Sequence, residues 1–475
     1  MKTKIIATIG PSSLDETILR KMAFAGLDVC RLNFSHGHQN DHRAVIETIH
    51  KLNREHNWLI SIMADLQGPK IRLGELKEDS ITLKAGDRII FCTEAVSGTC
   101  DRVSISYNTF PADVRPGETI LVDDGKYQFK VVETNSKNEV VMEALADTTL
   151  FPRKGVNLPD SQVSLPSLTT KDILDLEFVL DLGVQWIALS FVRSAIDIHI
   201  LRSRIDAHEA IHKPKIIAKI EKPQAVNDID AIIEAADAVM IARGDLGVEI
   251  PMETVPMIQK TIIRKCQQAG KPVIVATQMM EGMIDNIRPT RAEVNDVANS
   301  VLDGADALML SAETSIGKYP VETVETMQKI ISQIETDEYI YHVHNDYRLS
   351  KNDSFLFDAV LFNAIELSKI TQAEAIVVVS HSGYSAFRLA SYRPKAKLFV
   401  FSNNNHLLSS LNMVWGIQGF HDETIDTAEH IMQRINKYLL DHGHLTAGQK
   451  IINVLSTPVW KAGSSNTIRL SRAGE

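Results

Sequence analysis

From residue 4 to about residue 313 the chain alternates short apolar runs with stretches whose apolar residues recur every three or four positions. Runs of the first kind suit strands buried on both faces, and stretches of the second suit the helices that cover them. Eight runs qualify: KIIATIG (4–10), DVCRLNF (28–34), LISIMADL (59–66), VQWIALSF (184–191), KPKIIAKI (213–220), DAVMIARG (237–244), KPVIVATQM (271–279) and DALMLSAE (306–313). Between them METVPMIQKTIIRKCQQAG (252–270) predicts a helix that stops at Gly270, where a glycine can take the left-handed conformation that ends helices. Eight strand–helix units predict an α/β fold, a closed (β/α)8 TIM barrel.

The alternation breaks once. The third run ends at Leu66 and the next helix begins near Thr169, and about a hundred intervening residues are too many for a loop. They carry β-rich runs, SITLKAGDRIIF and ETILVDDGKYQFKVVE, separated by Gly, Pro and Asp-Asp-Gly turns. This predicts an inserted β-barrel domain at the end of the barrel where active sites form, a candidate lid. After the polar stretch HVHNDYRLSKND (342–353), helix SFLFDAVLFNAIELSKI, strand EAIVVVS, a helix, strand KLFVFS, a helix and strands KIINVLS and NTIRLS predict a C-terminal α/β domain. The expected division is barrel 1–68 and 168–343, inserted domain 69–167, and C-terminal domain 344–475.

Composition narrows the class. A chain of 475 residues, 44% hydrophobic and 23% charged, is typical of multidomain globular proteins. A formal charge of −10 argues against a broad nucleic-acid surface, which needs dense Lys and Arg, but leaves room for a local cation cluster that takes small anions. Cys30, Cys92, Cys100 and Cys266 form no CxxC pair or zinc pattern. The start, MKTKIIATIG, has no apolar leader segment, and no run is long enough for a membrane span. A cytoplasmic enzyme is the expectation.

Barrel enzymes react at the C-terminal ends of their strands. Polar residues interrupt the apolar runs there: Arg31, Asn33 and Ser35 after the second strand, Asp65 after the third, Lys219 and Glu221 at the fifth, Asp245 at the sixth, Thr277 at the seventh, Ser311 and Glu313 at the eighth. Residues two apart share a face, so Arg31, Asn33 and Ser35 point together, as do Lys219 and Glu221. Glu221 and Asp245 come from neighbouring strands, and two carboxylates completed by substrate oxygens and water suit Mg²⁺. Beside it Lys219 can stabilise an enolate or a phosphoryl group in flight, and Arg31 offers a planar fork for phosphate. These are the parts phosphoryl transfer requires. ARGDLGVE (242–249) is expected to open a loop in which Gly244 lets a backbone amide approach an anion.

The segments TKIIATIGPSS, VCRLNFSHG, ADLQGPKIRLG, AKIEKPQA, ARGDLGVEIP, ATQMMEGM, RPTRAEVNDVANSVLDGADALMLSAET and GKYPVETV resemble the pyruvate kinase family in order and spacing, over essentially the whole chain. The resemblance implies transfer of phosphate from phosphoenolpyruvate to ADP, giving pyruvate and ATP, with Mg²⁺ or Mn²⁺ as cofactor. It implies that Lys219 neutralises the transferring phosphoryl group and the enolate oxygen, and that Glu221 and Asp245 hold the cation. Gly244 and Thr277 would contact the substrate carboxylate, and Thr277 and Ser311 would lie near the water path to the enolate carbon. Arg31 and Arg72 would meet phosphate oxygens. Asn33, His36, Arg72 and Lys154 would line the nucleotide site, and the VDDG turn (122–125) would belong to the lid. A homotetramer is the family expectation.

Family members that need K⁺ hold it near positions matching Asn33, Ser35 and Asp65 and resemble DTKGPEIRT in the third segment. Here it reads DLQGPKIRL, with Leu66, Gln67, Lys70 and Leu73 at the differing positions. This resembles the K⁺-independent branch: Lys70 stands where the other branch has a glutamate, and supplies the positive charge itself. In the C-terminal domain the Ser/Gly loop SHSGYS (380–385) leads into a helix N-terminus, a ready anion site. Relatives use this loop for an effector's phosphate, which implies a phosphorylated effector at Ser380, Ser382, Gly383 and Ser385. A second loop, WKAGSSN (460–466), would close over it.

Overall fold

Each of the eight apolar runs forms a strand: β1 (Lys4–Thr8), β2 (Val29–Asn33), β3 (Ser61–Asp65), β4 (Trp186–Leu189), β5 (Lys215–Ile220), β6 (Ala238–Ala242), β7 (Val273–Ala276) and β8 (Ala307–Leu310). They are seen in a computed structural model that describes residues 1–161, 163–341, 355–423, 427–456 and 465–475. The strands close a parallel barrel, with β1 pairing β2 on one side and β8 on the other. The stretch read as helix 252–270 is a 3₁₀ turn, Met252–Thr254, followed by helix Val255–Ala269, and Gly270 ends it at φ 70°. Thr169 caps helix Thr170–Asp181 through a reciprocal bond with Asp172, satisfying amides that helix starts leave free.

The inserted residues form a six-stranded and a two-stranded sheet around their own core, which includes Phe91, Phe110 and Phe129. Arg72 bridges Gly155 beside one edge of the larger sheet and Leu73 bridges Ile105 beside the other, so single bridges draw the edges together. Gly68, at φ 69°, starts this excursion. A Cβ there would stand 2.8 Å from the Phe191 ring and 2.9 Å from Ser190 Cβ, so the approach of the two segments requires glycine.

The C-terminal sheet has five strands: β9 (Ala375–Val379), β10 (Lys397–Ser402), β11 (Ile417–His421), β12 (Lys450–Ser456) and β13 (Ser465–Arg472), in the order β11-β10-β9-β12-β13 with only β13 antiparallel. The sequence reading had four strands and lacked β11, whose residues IQGFH carry neither an apolar run nor clean alternation because it is an edge strand. It also merged two helices, Asn405–Leu411 and Ala428–Asp441, into one. Met413 from this domain joins the cluster inside the barrel, and Trp186 Nε1 donates to Ser410 O at 3.2 Å, so the C-terminal domain stops the end of the barrel opposite the polar one. The expected polar linker at 342–353 and the expected loop residues 460–464 lie outside the described residues.

Candidate active site

Alternation along the strands makes a gradient inside the barrel. Ile6, Val29, Met63, Trp186 and Ile217 fill one end. Two or four residues later on the same faces come Thr8, Arg31, Asp65, Ser190 and Lys219. All five are buried, so each polar group needs a partner.

The partners are each other. Asp65 Oδ2 accepts from Arg31 Nε at 2.7 Å and pairs with Arg31 Nη2 at 2.6 Å. Arg31 Nη1 donates to Thr8 Oγ1 at 2.8 Å. Lys219 Nζ donates to Ser190 Oγ at 2.7 Å and stands 2.9 Å from Glu221 Oε1 and 3.3 Å from Asp65 Oδ1. Glu221 Oε2 accepts the backbone N–H of Phe191 at 2.6 Å, presented by a left-handed residue at φ 55°. Burial pushes the Asp65 carboxyl up, but Lys219 and Arg31 together hold it below the usual range. Burial pulls the Lys219 ammonium down, and Asp65 and Glu221 overcome this and raise it above an ordinary lysine. Glu221 goes the other way: burial, with the Asp245 charge beside it, raises its carboxyl despite Lys219.

The segment expected to be a loop, ARGDLGVE, is instead a short helix, Arg243–Glu249, that starts directly at the end of β6. Gly244 N donates to Thr277 Oγ1 at 2.8 Å, and that hydroxyl lies 2.6 Å from Ala276 O. Thr277 (φ 69°) and Gln278 (φ 55°) leave β7 in left-handed conformations. Arg243 holds them there, donating to Thr277 O at 2.8 Å while both its terminal nitrogens lie 2.7 Å from Asp296 carboxylate oxygens. Two residues bearing Cβ at positive φ cost energy, and such strain collects where geometry matters to function.

The structure therefore brings Arg31, Asp65, Lys219 and Glu221 into one network, with Asp245, Gly244 and Thr277 beside it. Asn33 Oδ1 accepts Ser35 N at 3.1 Å in the turn after β2, so these two partner each other. Ser311 opens the turn after β8, and its N–H donates to Glu313 Oε2 at 2.7 Å. Glu313 also takes Met280 N and is occupied with backbone rather than reaching the network. Arg72 and Lys154 sit on the inserted domain, Arg72 Nη1 donating to Arg153 O at 3.1 Å and Lys154 Nζ lying 2.7 Å from Asp123 of the VDDG turn. His36 is exposed, and its carbonyl lies 3.0 Å from His42 Nε2. Lys70 borders a cleft of about 930 Å³, between the inserted domain and the barrel, that also reaches Asp124, Gly244 and Asp245. Thr8 and Ser190 were missed. Both are polar residues at strand ends, and the same rule applied to β1 and β4 would have found them.

A model of the pyruvate kinase barrel domain matches residues 1–324, and one of the pyruvate kinase alpha/beta domain matches residues 358–471. The chain belongs to the pyruvate kinase family. Pyruvate kinases of Corynebacterium efficiens and Mycobacterium tuberculosis are 40% and 38% identical to it, over 100% and 99% of this chain and 98% of each relative. The crystal structure of a pyruvate kinase from Cryptosporidium parvum superposes with a TM-score of 0.93 at 33% identity, covering 99% of this chain and 96% of that one. The chain is thus an enzyme, a phosphotransferase on a (β/α)8 barrel with an added sheet domain and a C-terminal α/β domain.

Pyruvate kinases as a family depend on a divalent cation. Among the described residues no three His, Cys, Asp or Glu side chains gather into a cage for one. Two carboxylates that repel one another at the mouth of the barrel, one of them Glu221 held protonation-prone by burial and by Asp245, fit a cation that takes its remaining ligands from substrate and water.

Proposed function

We propose that this pyruvate kinase moves the phosphoryl group of phosphoenolpyruvate to ADP over the network around Lys219, and that it does so without K⁺. The observation that carries the first part is the placement of Lys219, buried beside Glu221 and Asp65 and held charged by both. Its Asp65 contact, at 3.3 Å, is the longest of its three and the one an incoming substrate oxygen exchanges for. A fixed ammonium in a water-poor site needs little reorganisation as charge develops on the enolate oxygen and the phosphoryl group. Arg31 uses three of its five N–H donors on Asp65 and Thr8, which leaves two for phosphate oxygens, and its fork is already oriented. Gly244 N donates to Thr277 Oγ1, and a substrate carboxylate accepts from both groups. Glu221 and Asp245 hold the divalent cation, Mg²⁺ or Mn²⁺, which when bound supplies Lewis-acid charge to substrate oxygens. Ser311 stands by the path that protonates the enolate carbon. Asn33, His36, Arg72 and Lys154 belong to the nucleotide side, with the inserted domain, residues 69–167, as the lid over it. Replacement of Lys219, described in the Discussion, tests this reading.

Independence from K⁺ rests on Lys70. Its ammonium has no described ion pair and borders the cleft that contains Asp245 and Asp124, where Arg243 and Lys260 are already paired with Asp296 and Asp303, so it adds a positive charge not committed to a partner. Pyruvate formation, coupled to lactate dehydrogenase, is expected to run within about twofold of the same rate in tetramethylammonium buffer with and without KCl. A loss of about tenfold or more without K⁺ rejects the assignment.

A phosphorylated effector is assigned to the C-terminal domain. Ser380 and Ser385 are buried and bonded internally, Ser380 Oγ taking Gly383 N at 3.0 Å and Ser385 Oγ lying 2.6 Å from Ser465 Oγ. Ser382 faces outward, on a cleft of about 780 Å³ that Lys215, Lys271 and Arg388 also line. That charge supports a phosphate ligand. A sugar phosphate or AMP is expected to lower the half-saturating phosphoenolpyruvate concentration by about fivefold or more. Rate curves that superpose with and without each candidate remove the assignment. A homotetramer, for which exposed Met257, Ile287 and Ile316 on the barrel offer apolar surface, and a cytoplasmic location are the remaining parts of the proposal. No helix among the described residues is long and apolar enough to cross a membrane.

A further inference from the structure

Glu249 ends the helix that begins with Arg243, Gly244 and Asp245. Its side chain is 1% exposed, where an uncompensated carboxylate is strongly disfavoured. One oxygen, Oε1, takes two donors from two other parts of the chain. The first is the ammonium of Lys222, one residue beyond Glu221. The second is Asn157 Nδ2 at 2.7 Å. Asn157 lies in the last strand of the inserted domain and pairs with Leu121, just before the Asp123-Asp124 turn. Lys222 Nζ also stands 5.8 Å from the centre of the Phe191 ring, and the Phe191 backbone N–H is the one that orients Glu221. The other oxygen, Oε2, is buried and has no hydrogen-bond partner among the described residues. None of the steps assigned above uses Glu249.

A structural ion pair usually fastens two elements. Here one carboxylate oxygen fastens three, each within a few residues of a group assigned to the reaction: Asp245 on the same helix, Glu221 next to Lys222, and the acidic turn of the inserted domain through Asn157. We propose that Glu249 is a positioning residue that couples the seating of the inserted domain to the spacing of Glu221 and Asp245. The inference rests on the reading that those two carboxylates hold the divalent cation. Movement of the inserted domain away from the barrel breaks the Asn157 bond. The Glu249–Lys222 pair then loses its tie to the inserted domain, and the backbone that Lys222 shares with Glu221 loses that restraint, while Glu221 keeps its contacts with Lys219 and the Phe191 N–H.

The test uses the full-length enzyme and Mn²⁺, whose binding is read by electron paramagnetic resonance with no substrate present. E249Q keeps the shape and removes the charge. It is expected to weaken Mn²⁺ binding by about tenfold, the scale of losing a group that orients metal ligands. It should also raise KM for ADP while kcat falls less than about threefold, a pattern that lost folding alone does not produce. N157A, at a partly exposed site, should act in the same direction. Combined with E249Q it should add nothing, because both changes cut the same link. Unchanged Mn²⁺ binding in E249Q, or effects of the two variants that multiply, overturns the proposal. If E249Q does not accumulate as folded enzyme, N157A alone decides: normal Mn²⁺ binding and a normal KM for ADP sink it. E221Q run alongside separates the two failures. If E221Q binds Mn²⁺ normally the metal assignment itself is wrong, whereas weakened E221Q with normal E249Q refutes only the positioning role.

Discussion

Lys219→Met is expected to lower kcat by about a thousandfold, equivalent to about 4 kcal/mol of lost transition-state stabilisation. The side chain is nearly isosteric, so the loss is one of charge and three donors rather than of volume. In the native site the ammonium is held by Ser190 Oγ at 2.7 Å, Glu221 at 2.9 Å and Asp65 at 3.3 Å, and it is not free to drift. In the reaction proposed above, the charge it answers grows as phosphorus leaves the enolate oxygen. KM for phosphoenolpyruvate should therefore move much less than kcat. Lys219→Arg keeps the charge but needs room for a guanidinium where the lysine is only 8% exposed, and it should recover little of the rate. Steady-state kinetics of both variants, with circular dichroism to show that they are folded, makes the comparison. Turnover of Lys219→Met at the wild-type rate would end the assignment of this residue and, with it, the reading of the site.

Asp65→Asn should be the most damaging single change to stability, at about 3–5 kcal/mol. Asp65 is 1% exposed and lies between Arg31 and Lys219, both nearly buried themselves. Asparagine leaves these two cations with Glu221 as the one remaining carboxylate of the network, and an uncompensated buried charge costs far more than an exposed pair returns. The pH dependence follows from the directions of the shifts. The Asp65 carboxyl is lower in the folded than in the unfolded chain, so its stabilisation is complete above the ordinary aspartate value and fades only as pH falls through the lower folded one. Lys219 is raised, so its stabilisation is complete below the ordinary lysine value and fades as pH climbs past it. Neither titrates between about pH 5 and 9, so the gap in melting temperature between wild type and Asp65→Asn should persist across that window, and any slope within it belongs to Glu221, whose carboxyl burial raises. The absence of any gap throughout that window would mean that Asp65 is not charged as described. Activity should fall as well, because Arg31 loses the carboxylate that orients its fork.

Much of this was legible in the chain before any folding. The eight strands follow from apolar runs of the right length, and the helix ending at Gly270 follows from the conformational freedom of that residue. The polar residues of the site follow from the two-residue period of a strand: the face that carries Ile217 into the core must also carry Lys219 and Glu221 to the mouth. Other features had no local signal. ARGDLGVE reads as a glycine-bearing loop, yet Arg243 is anchored by Asp296 and the segment winds into a helix. Strand β11 has no pattern of its own because one of its edges is free. The serines of the SHSGYS loop look alike in the sequence, but Ser380 and Ser385 turn inward to Gly383 and Ser465 while Ser382 stays outside.

By itself the sequence determined the kind of fold, its interruption by a β domain, and the family, because these depend on periodicity and on long colinear segments. Only the tertiary structure decided who partners whom. Arg31 meets Asp65 34 residues away and Lys219 meets Ser190 29 residues away, contacts that exist because barrel closure sets the register of β2 against β3 and of β4 against β5. Electrostatic coupling falls with distance in space, not along the chain, so the charge state of each group, and the link of Glu249 to Lys222 and Asn157, appear only when the strands are in place.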